Sequence, residues 1–360
     1  MDKYIDYYND SKKVTYHEQT DISNILKLRA VLKTLPDFCK DYFRAMDPLT
    51  TTKTRISYAY DIRIFFQFLL DENPAFKDYS MKDFTVDVLD QLKAIDIEEY
   101  QEYLKVYKNG DKTETNGERG LKRKISALRS FYAYYYKREM IHTNPTVLID
   151  VPKIHEKSII RLDTDEVAML LDYIEHCGDT LTGQKRVFYE KTKERDLAIV
   201  TLLLGTGIRV SECVGLDIED VDFKNNGIKV TRKGGNEMVV YFGPEVEKAL
   251  KRYLEVREGI TPLAGHEHAL FYSAQRKRIG VQAVENMVKK YSRQITTTKK
   301  ITPHKLRSTY GTALYQETGD IYLVADVLGH KDVNTTKKHY AALDDARRRQ
   351  AATAVKLREE

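Results

Sequence analysis

The chain has few cysteines and no long apolar run. Its three cysteines, Cys39, Cys177 and Cys213, are widely spaced and odd in number, which fits neither a disulfide framework nor a zinc cluster. No stretch of about eighteen apolar residues occurs, so we expect no membrane span. The first residues, "MDKYIDYYNDSKK", lack the apolar core of a signal peptide. We therefore expect a cytoplasmic protein with reduced cysteines.

The chain also lacks a strong excess of one charge. It has 59 Lys and Arg against 54 Asp and Glu, so its net charge of +5 is only mildly basic. A hydrophobic content of 42% with 31% charged residues is typical of a soluble globular protein. A length of 360 residues suggests two domains of ordinary size. The total charge alone is weak support for a nucleic-acid partner.

One segment concentrates the positive charge. Residues 121–138, "LKRKISALRSFYAYYYKR", hold six Lys and Arg and no acidic residue, interleaved with Tyr and Phe. This pattern is typical of a helix that lies on phosphates, and Lys122, Arg123 and Arg129 are the candidate DNA contacts. A solvated helix face over an aromatic core fits the same pattern equally well.

Sequence patterns divide the chain into successive parts. Residues 1–35 are a polar extension in which Ile22, Ile25, Leu26, Arg29 and Leu32 have helical spacing. Helical patterns continue over 36–150 with few β-branched alternations, which predicts a small all-helical domain. One of them, "DIEEYQEYLKVYKNG", predicts a helix that ends at Gly110. Residues 151–160 and those just before them contain two prolines. We interpret this stretch as an extended linker. A second domain is expected over 161–345, followed by a tail helix over 346–360.

Helix signals are strong in the second half. "DTDEVAMLLDYIEHC" has a capping pattern that begins a helix at Asp163 or Thr164. "RDLAIVTLLLGTGIRVSECVGL" is an apolar helix that breaks at Gly205 and Gly207 and then resumes. Three further helices are expected in "VQAVENMVKKYSRQ", "PHKLRSTYGTALYQETG" and "IYLVADVLGH".

A β-hairpin is predicted between these helices. Alternation on both sides of "KGGN" places Ile228, Val230 and Arg232 on one face of the first strand. The second domain is therefore of mixed α+β type, mainly helical with a small β-sheet. The fold class is multidomain, with an all-helical first domain and this α+β second domain.

Polar motifs in the second half can carry chemistry. "GTGIRVSE" places Arg209 at a helix start with Glu212 three residues later, where the carboxylate can orient the guanidinium. It is not a dinucleotide fingerprint, because Val210 stands where a third glycine is expected. "TRKGGN" places Lys233 at a hairpin tip, where an ammonium can protonate a departing oxygen. A surface ion pair and a solubilising loop residue are the ordinary interpretations of these two motifs.

Two histidine motifs follow. "HKLR" places His304 and Arg307 one helical turn apart after a proline, at a helix start that favours anions. A capped helix with an unrelated histidine fits this motif too. "LGHKDVNTTKKHY" places His330 ten residues before Tyr340. Metal binding is a poor explanation, because no second ligand at useful spacing joins His330.

The order of these motifs resembles that of the active-site residues in the tyrosine recombinases, in particular the integrase and Xer-type members. The resemblance covers residues 37–345. It includes a first domain similar to the helical core-binding domain of the family, with "TRISYAYDIRIFFQFL" and "KISALRSFYAYYYKR". The resemblance implies a core-binding domain over 36–150 and a tyrosine recombinase catalytic domain over 161–345.

The resemblance also implies a role for each motif residue. Tyr340 is the implied nucleophile, and Arg209 and Arg307 are implied to hold the non-bridging oxygens of the scissile phosphate. Lys233 is the implied general acid for the leaving 5′ oxygen. His304 is implied to assist as an acid or base. His330 stands at the position that is His or Trp in the family, and Glu212 matches the acidic residue that follows the first arginine. The interval from His330 to Tyr340 is one residue longer than in many Xer-like members.

The resulting expectation is a site-specific DNA recombinase that works through a 3′-phosphotyrosyl intermediate. A phenol with a pKa of about 10 is a poor nucleophile at neutral pH, so the surrounding cations have a clear purpose. The scheme requires no metal and no other cofactor. The implied partners are double-stranded DNA with a specific target site and three further copies of the chain in a homotetramer, with no membrane.

Alternatives to recombination remain. A type IB topoisomerase-like activity uses similar residues, and a catalytically silent DNA-binding regulator can share the fold. The resemblance implies that the tail helix docks on a neighbouring subunit, whereas a tail folded back on its own domain is the ordinary alternative. Integration, excision, inversion and dimer resolution are all compatible with the motifs.

Overall fold

The computed structural model describes residues 15–153, 155, 159–232, 235–330 and 332–333. The chain divides into two compact units, Met1–Glu156 and Lys157–Glu360. The division falls inside 151–160, the segment interpreted as a linker. Within the described residues, no helix is long and apolar enough to cross a bilayer.

The first unit is mainly helical. Its helices are α1 (Tyr16–Leu32), α2 (Cys39–Ala45), α3 (Thr52–Glu72), α4 (Val88–Gln91), α5 (Ala94–Tyr103) and α6 (Glu118–Tyr136), and its strands are β1 (Val106–Asn109) and β2 (Lys112–Thr115). Helix α3 packs against α1 and α6. The core between the helices is rich in aromatic residues, and the rings of Tyr42 and Phe131 meet edge to face with centroids 5.1 Å apart.

Helix α1 lies in the segment that was interpreted as a separate extension. It begins at a capping box between Thr15 and Glu18, and its buried residues are Leu28 and Val31. Ile25, which belonged to the predicted apolar face, is 37% exposed. Apolar residues are spread around this helix, so periodicity alone did not select the face that packs on α3.

One antiparallel hairpin corrects the prediction of an all-helical first domain. Strands β1 and β2 pair with Asn109 opposite Lys112, which leaves a two-residue loop. Gly110 opens this loop with φ 61°, a conformation that glycine adopts without strain. The Asn-Gly pair is a hairpin signal, but the segment was interpreted as a helix that ends at its glycine.

The second unit has its helices packed around the second half of one long helix. Its helices are α7 (Thr164–His176), α8 (Gly183–Thr206), α9 (Val210–Gly215), α10 (Pro244–Glu258), α11 (Val281–Ile295), α12 (Pro303–Thr318) and α13 (Ile321–Leu328), and its strands are β3 (Val221–Asp222), β4 (Gly227–Thr231) and β5 (Glu237–Tyr241). Helix α8 packs against α7, α10 and α12. Its residues 197–203 are all buried, as expected of a helical segment that is apolar on nearly every side.

Helix boundaries in this unit follow local signals. Asp163 caps α7 in a capping box with Glu166, which confirms the predicted start. Helix α8 continues through Gly205 and ends at Gly207, whose φ is 63°. Helices α12 and α13 likewise end at left-handed glycines, Gly319 and Gly329. The mixed α+β architecture is confirmed.

The predicted hairpin is the main part of a three-stranded antiparallel sheet. The strand order is β3–β4–β5, with Ile228 opposite Val240 and Val230 opposite Met238. Ile228 and Val230 are buried, and Arg232, two residues further, is 9% exposed. This alternation confirms the predicted inner face of β4.

Candidate active site

Arg209 lies in the short turn between α8 and α9. The chain leaves α8 at Gly207, where an added Cβ would approach within 2.3 Å of the Tyr310 ring, so only glycine fits without a shift. Arg209 then takes the N-cap position of α9. Its side chain is 34% exposed, so part of the guanidinium faces solvent.

Glu212 holds Arg209 by both its backbone and its side chain. The Glu212 carboxylate accepts from the Arg209 backbone N–H at 2.8 Å and from Arg209 Nη1 at 2.8 Å. Glu212 is buried, and Arg232 Nη1 lies 3.7 Å from its second oxygen. This geometry fits the orienting role expected of the carboxylate.

Arg307 is placed in the first half of α12 and is buried. Pro303 stands at the start of this helix, where its missing N–H costs no hydrogen bond. Arg307 Nη1 donates to the Gly207 carbonyl at 2.5 Å, and Nη2 donates to the Leu328 carbonyl. These two bonds fix the plane of the guanidinium between the turn after α8 and the end of α13.

The carbonyl end of α13 gathers three guanidinium groups. Arg209 Nη2 lies 3.3 Å from the Gly329 carbonyl, and Arg307 donates to Leu328. Arg232 Nη1 donates to the same Leu328 carbonyl at 2.8 Å, and its Nη2 donates to Val327 at 2.7 Å. The last carbonyls of a helix are its negative end, so cations there are stabilising. We call Arg209, Arg232 and Arg307 the arginine cluster.

His330 directly follows the end of α13. Its backbone N–H donates to the Ala325 carbonyl at 2.9 Å, which closes the helix after the left-handed Gly329. His304 lies on the first turn of α12 and is exposed, one turn before Arg307. The fold therefore brings Arg209 and Glu212 into contact, and it places Arg209, Arg307 and His330 at the same end of α13.

Arg232 is the member of the cluster that the motifs did not identify as functional. It is the residue before Lys233, and its Nε also lies 2.9 Å from Met238 Sδ. Burial lowers the pKa of Arg232, and the Glu212 carboxylate opposes this shift. The sequence signal for the burial of Arg232 was the alternation along β4, which predicts that Arg232 faces inward with Ile228 and Val230.

Two predicted site residues lie outside the described residues. They are Lys233, which follows Arg232 in the chain, and Tyr340, in the segment 334–360. The structure does describe the hairpin next to Lys233: the Arg232 N–H donates to the Asn236 carbonyl at 2.7 Å.

Two of the three candidate DNA contacts in the first unit differ in their surroundings. Lys122 is exposed on α6. Arg123 is also exposed, and its Nη1 contacts the carboxylate of Asp61, a buried residue of α3. Lys124 Nζ lies 3.2 Å from the other oxygen of Asp61. One buried carboxylate thus holds two neighbouring cations of the basic helix.

The third candidate, Arg129, points to backbone carbonyls. Its Nε donates to Thr146 at 3.0 Å, and its Nη2 donates to Ile149. The guanidinium therefore ties the end of this unit to α6. This geometry gives Arg129 a structural role that the charge pattern did not indicate.

Comparison with known proteins identifies the family of the chain. Residues 160–347, just over half of the chain, match the Phage integrase family. A tyrosine recombinase XerC from Caldanaerobacter subterraneus subsp. tengcongensis is 33% identical over 315 residues, which are 84% of this chain and 82% of the relative. A tyrosine recombinase XerS from Lactococcus lactis subsp. cremoris is 31% identical over 338 residues, 88% of this chain and 93% of the relative.

Solved structures share the fold. The Tn1549 transposon integrase, in complex with circular intermediate DNA, superposes with a TM-score of 0.62 at 22% identity, over 87% of this chain and 98% of that one. The XerH site-specific recombinase, bound to its difH substrate, gives a TM-score of 0.61 at 21% identity, over 84% and 79%.

The chain belongs to the phage integrase family. Within that family it is a tyrosine-type, site-specific DNA recombinase, and its similar relatives are Xer recombinases. The resemblance stated from the order of the sequence motifs is confirmed.

Proposed function

We propose that this chain cleaves one strand of a specific duplex site by attack of Tyr340 on the scissile phosphate. A bond forms between the Tyr340 Oη and phosphorus, and the bond from phosphorus to the 5′ oxygen breaks. The product is a 3′-phosphotyrosyl link, which a 5′-hydroxyl of a second strand attacks in reverse. The main support is the arginine cluster at the carbonyl end of α13, formed from three separate elements of the unit.

The arginines are assigned to the phosphate. The pentavalent phosphorane carries more negative charge than the ground state, so fixed donors lower the barrier. Glu212 and the α13 carbonyls fix Arg209 and Arg307 before DNA arrives. A planar guanidinium matches two phosphate oxygens, which is why fixed arginines suit this position.

Proton transfers are assigned to the neighbouring residues. Lys233 donates a proton to the leaving 5′ oxygen, which prevents expulsion of a strongly basic alkoxide. His304 accepts the proton that the Tyr340 hydroxyl loses as it attacks phosphorus. His330 donates to a phosphate oxygen from the end of α13. The same residues act in the reverse order when the second strand attacks.

The first unit is proposed to grip the duplex as a core-binding domain over 36–150. Lys122 and Arg123 are exposed on α6 and supply cations for phosphates. The XerH and Tn1549 structures that share the fold are complexes with DNA. We propose a homotetramer on two target sites, with the tail 346–360 as a contact between subunits.

Tyr340→Phe tests this assignment. Phenylalanine keeps the ring and removes only the attacking oxygen, so no covalent adduct should form while DNA affinity stays within about twofold, well below the tenfold step that 1.4 kcal/mol represents. The target site is first obtained by selection from a randomised duplex pool. A nicked duplex that carries this site then traps the adduct, which is measured on a denaturing gel.

A second tyrosine provides the control. Tyr322→Phe removes a hydroxyl from an exposed position on α13 and should leave adduct formation intact. Adduct formation by Tyr340→Phe would show that another residue is the nucleophile. Relaxation of supercoiled DNA by the wild type, with no exchange between two sites, would favour the topoisomerase-like alternative.

A further inference from the structure

Arg232 links the β4–β5 hairpin to the end of α13 through both its backbone and its side chain. Its backbone N–H donates to the Asn236 carbonyl, and its carbonyl accepts from the Gly235 N–H at 3.0 Å, so it closes the hairpin tip. Its guanidinium donates to Val327 and Leu328 at 2.7 and 2.8 Å. The residue immediately before Lys233 is therefore anchored on both sides.

The burial of this charge needs an explanation. Arg232 is 9% exposed and directly follows β4, where it continues the inward-facing positions of Ile228 and Val230, which are apolar. An apolar residue at this position would bury as well without the desolvation cost of a guanidinium. The charge is offset by the Glu212 carboxylate at 3.7 Å and by the negative end of α13. These partners are also the groups that hold Arg209 and Arg307.

The close approach of Arg232 to α13 depends on a glycine at the end of this helix. Gly329 has φ 62°, and a Cβ there would lie 2.7 Å from Arg232 Nη1 and 2.8 Å from Cζ. Any larger residue would push the guanidinium away from the helix end. The geometry at this point therefore requires both a glycine at 329 and a long, planar donor at 232.

We propose that Arg232 is a positioning residue that fixes the start of the hairpin tip, so that Lys233 reaches the leaving 5′ oxygen. This inference rests on the proposed function, in which Lys233 is the general acid. Arg232 itself touches no DNA in this scheme. It acts by tying β4 to the helix end that precedes His330, and thereby sets the distance between the proton donor and the groups that bind the phosphate.

The consequence is a specific chemical defect. Without Arg232, the phosphate still meets Arg209, but the Lys233 ammonium is misplaced relative to the 5′ oxygen. A displacement of about 1 Å in a reacting group can lower a rate by roughly a hundredfold. We expect Arg232→Ala to slow cleavage by about tenfold to a hundredfold, with little change in DNA affinity.

A substrate with a sulfur leaving group tests the route through Lys233. A nicked duplex is prepared in two forms, with oxygen or with sulfur at the bridging 5′ position of the scissile phosphate. A thiol with a pKa of about 8.5 departs as the thiolate and needs no general acid. Single-turnover adduct formation is measured on both duplexes for the wild type, Arg232→Ala and Lys233→Ala.

The proposal expects both variants to be slow on oxygen and to recover on sulfur to within about threefold of the wild type, because proton donation is the step that they lack. Arg209→Ala should stay slow on both duplexes, because its loss removes charge stabilisation of the phosphorane. Lys229→Ala is the matched control on the same strand. Its exposed ammonium faces Asp220 and Glu237, and it should cleave both duplexes like the wild type.

Each other outcome has a distinct meaning. If Lys233→Ala recovers on sulfur and Arg232→Ala does not, the positioning role is wrong while the proposed function stands. If Lys233→Ala fails to recover, its assignment as general acid is wrong, and the inference falls with it. Absence of adduct in the wild type on both duplexes would overturn the proposed function itself.

A folding control completes the design. Removal of Arg232 leaves the α13 carbonyls without these donors, so thermal unfolding of each variant is measured first. If Arg232→Ala does not fold, Arg232→Lys takes its place, since it keeps a cation but cannot bridge two carbonyls as a fork. We expect it to show a smaller oxygen defect with the same recovery on sulfur. Wild-type cleavage of the oxygen duplex by Arg232→Lys would overturn the proposal.

Discussion

At the scale of single residues, Arg209 is a guanidinium held in place at both terminal nitrogens. Glu212 accepts from its Nη1 at 2.8 Å, and the Gly329 carbonyl lies 3.3 Å from its Nη2. Both terminal nitrogens are therefore oriented, while the side chain remains 34% exposed. A cation on a flexible side chain would have to lose conformational freedom when it binds the substrate.

Arg209→Lys should therefore be nearly as damaging as Arg209→Ala. An ammonium keeps the charge but cannot contact Glu212, the Gly329 carbonyl and a phosphate in one plane. We expect single-turnover cleavage to fall by roughly a hundredfold or more. Arg186→Lys, at an exposed position of α8, serves as the control. Retention of more than half of the cleavage rate by Arg209→Lys would assign Arg209 a structural role instead.

Gly207 is a second residue whose identity is set by geometry. Gly207→Ala places a Cβ 2.3 Å from the Tyr310 ring and 2.9 Å from Leu328, at a φ of 63°. We expect a loss of about 1–3 kcal/mol in the free energy of unfolding, measured in urea. Gly243→Ala provides the comparison, because an added Cβ meets nothing within 4 Å there and φ is −87°. Equal stability of the two variants would contradict this account of the turn.

At the scale of elements, short polar contacts join the ends of helices. The Asp90 carboxylate, in α4, accepts from the His142 N–H at 2.8 Å, from the Thr143 N–H at 2.9 Å and from the Thr143 hydroxyl at 3.1 Å. It thereby connects α4 to the segment after α6. Burial raises the pKa of Asp90, but the hydrogen bonds from Thr143 and His142 outweigh it and leave the pKa below its ordinary value.

This contact predicts a pH-dependent loss of stability in Asp90→Asn. A carboxyl with a lowered pKa stabilises the fold above the ordinary aspartate value of about 3.9, and the contribution disappears as the pH falls through the folded-state pKa. We expect Asp90→Asn to cost about 1 kcal/mol at pH 7 and less at pH 3, by urea unfolding.

The control for this prediction is Asp87→Asn. Asp87 is exposed one turn earlier and accepts from the Thr85 hydroxyl at 3.2 Å. Its replacement should change stability little at either pH. A deficit of Asp90→Asn that grows as the pH falls would show that its carboxylate does not stabilise this contact.

At the scale of the whole molecule, the net charge of +5 is less important than the position of the cations. Lys122 is exposed on α6, whereas Arg129 donates to the carbonyls of Thr146 and Ile149. Two cations of one helix therefore have different surroundings, and we propose that they have different tasks, although the sequence pattern treats them alike.

Lys122→Ala and Arg129→Ala should separate these tasks. Loss of one phosphate contact lowers the slope of log affinity against log salt by about 0.9, so Lys122→Ala should reduce this slope and leave stability unchanged. Arg129→Ala should mainly lower the free energy of unfolding, by about 1–3 kcal/mol, because two buried carbonyls lose their donor. An unchanged salt slope in Lys122→Ala would remove this residue from the proposed DNA surface.

Much of the secondary structure could be read from local signals. Asp163 with Glu166 marked the start of α7, and Gly207, Gly319 and Gly329 marked helix ends. Such signals work because a cap or a positive φ depends on the residue itself and its immediate neighbours. The hairpin at Gly110 had the same kind of signal and was missed only through its interpretation as a helix end.

The sequence by itself determined the family, the order of the motif residues and the inner face of β4. Only the tertiary structure decided that Arg232 joins Arg209 and Arg307 at the end of α13, and that Arg129 turns to carbonyls. Arg232 and Val327 are 95 residues apart in the chain. The charge pattern shows that a guanidinium is present, but its partner depends on which carbonyls the packing of distant helices leaves without an internal hydrogen bond.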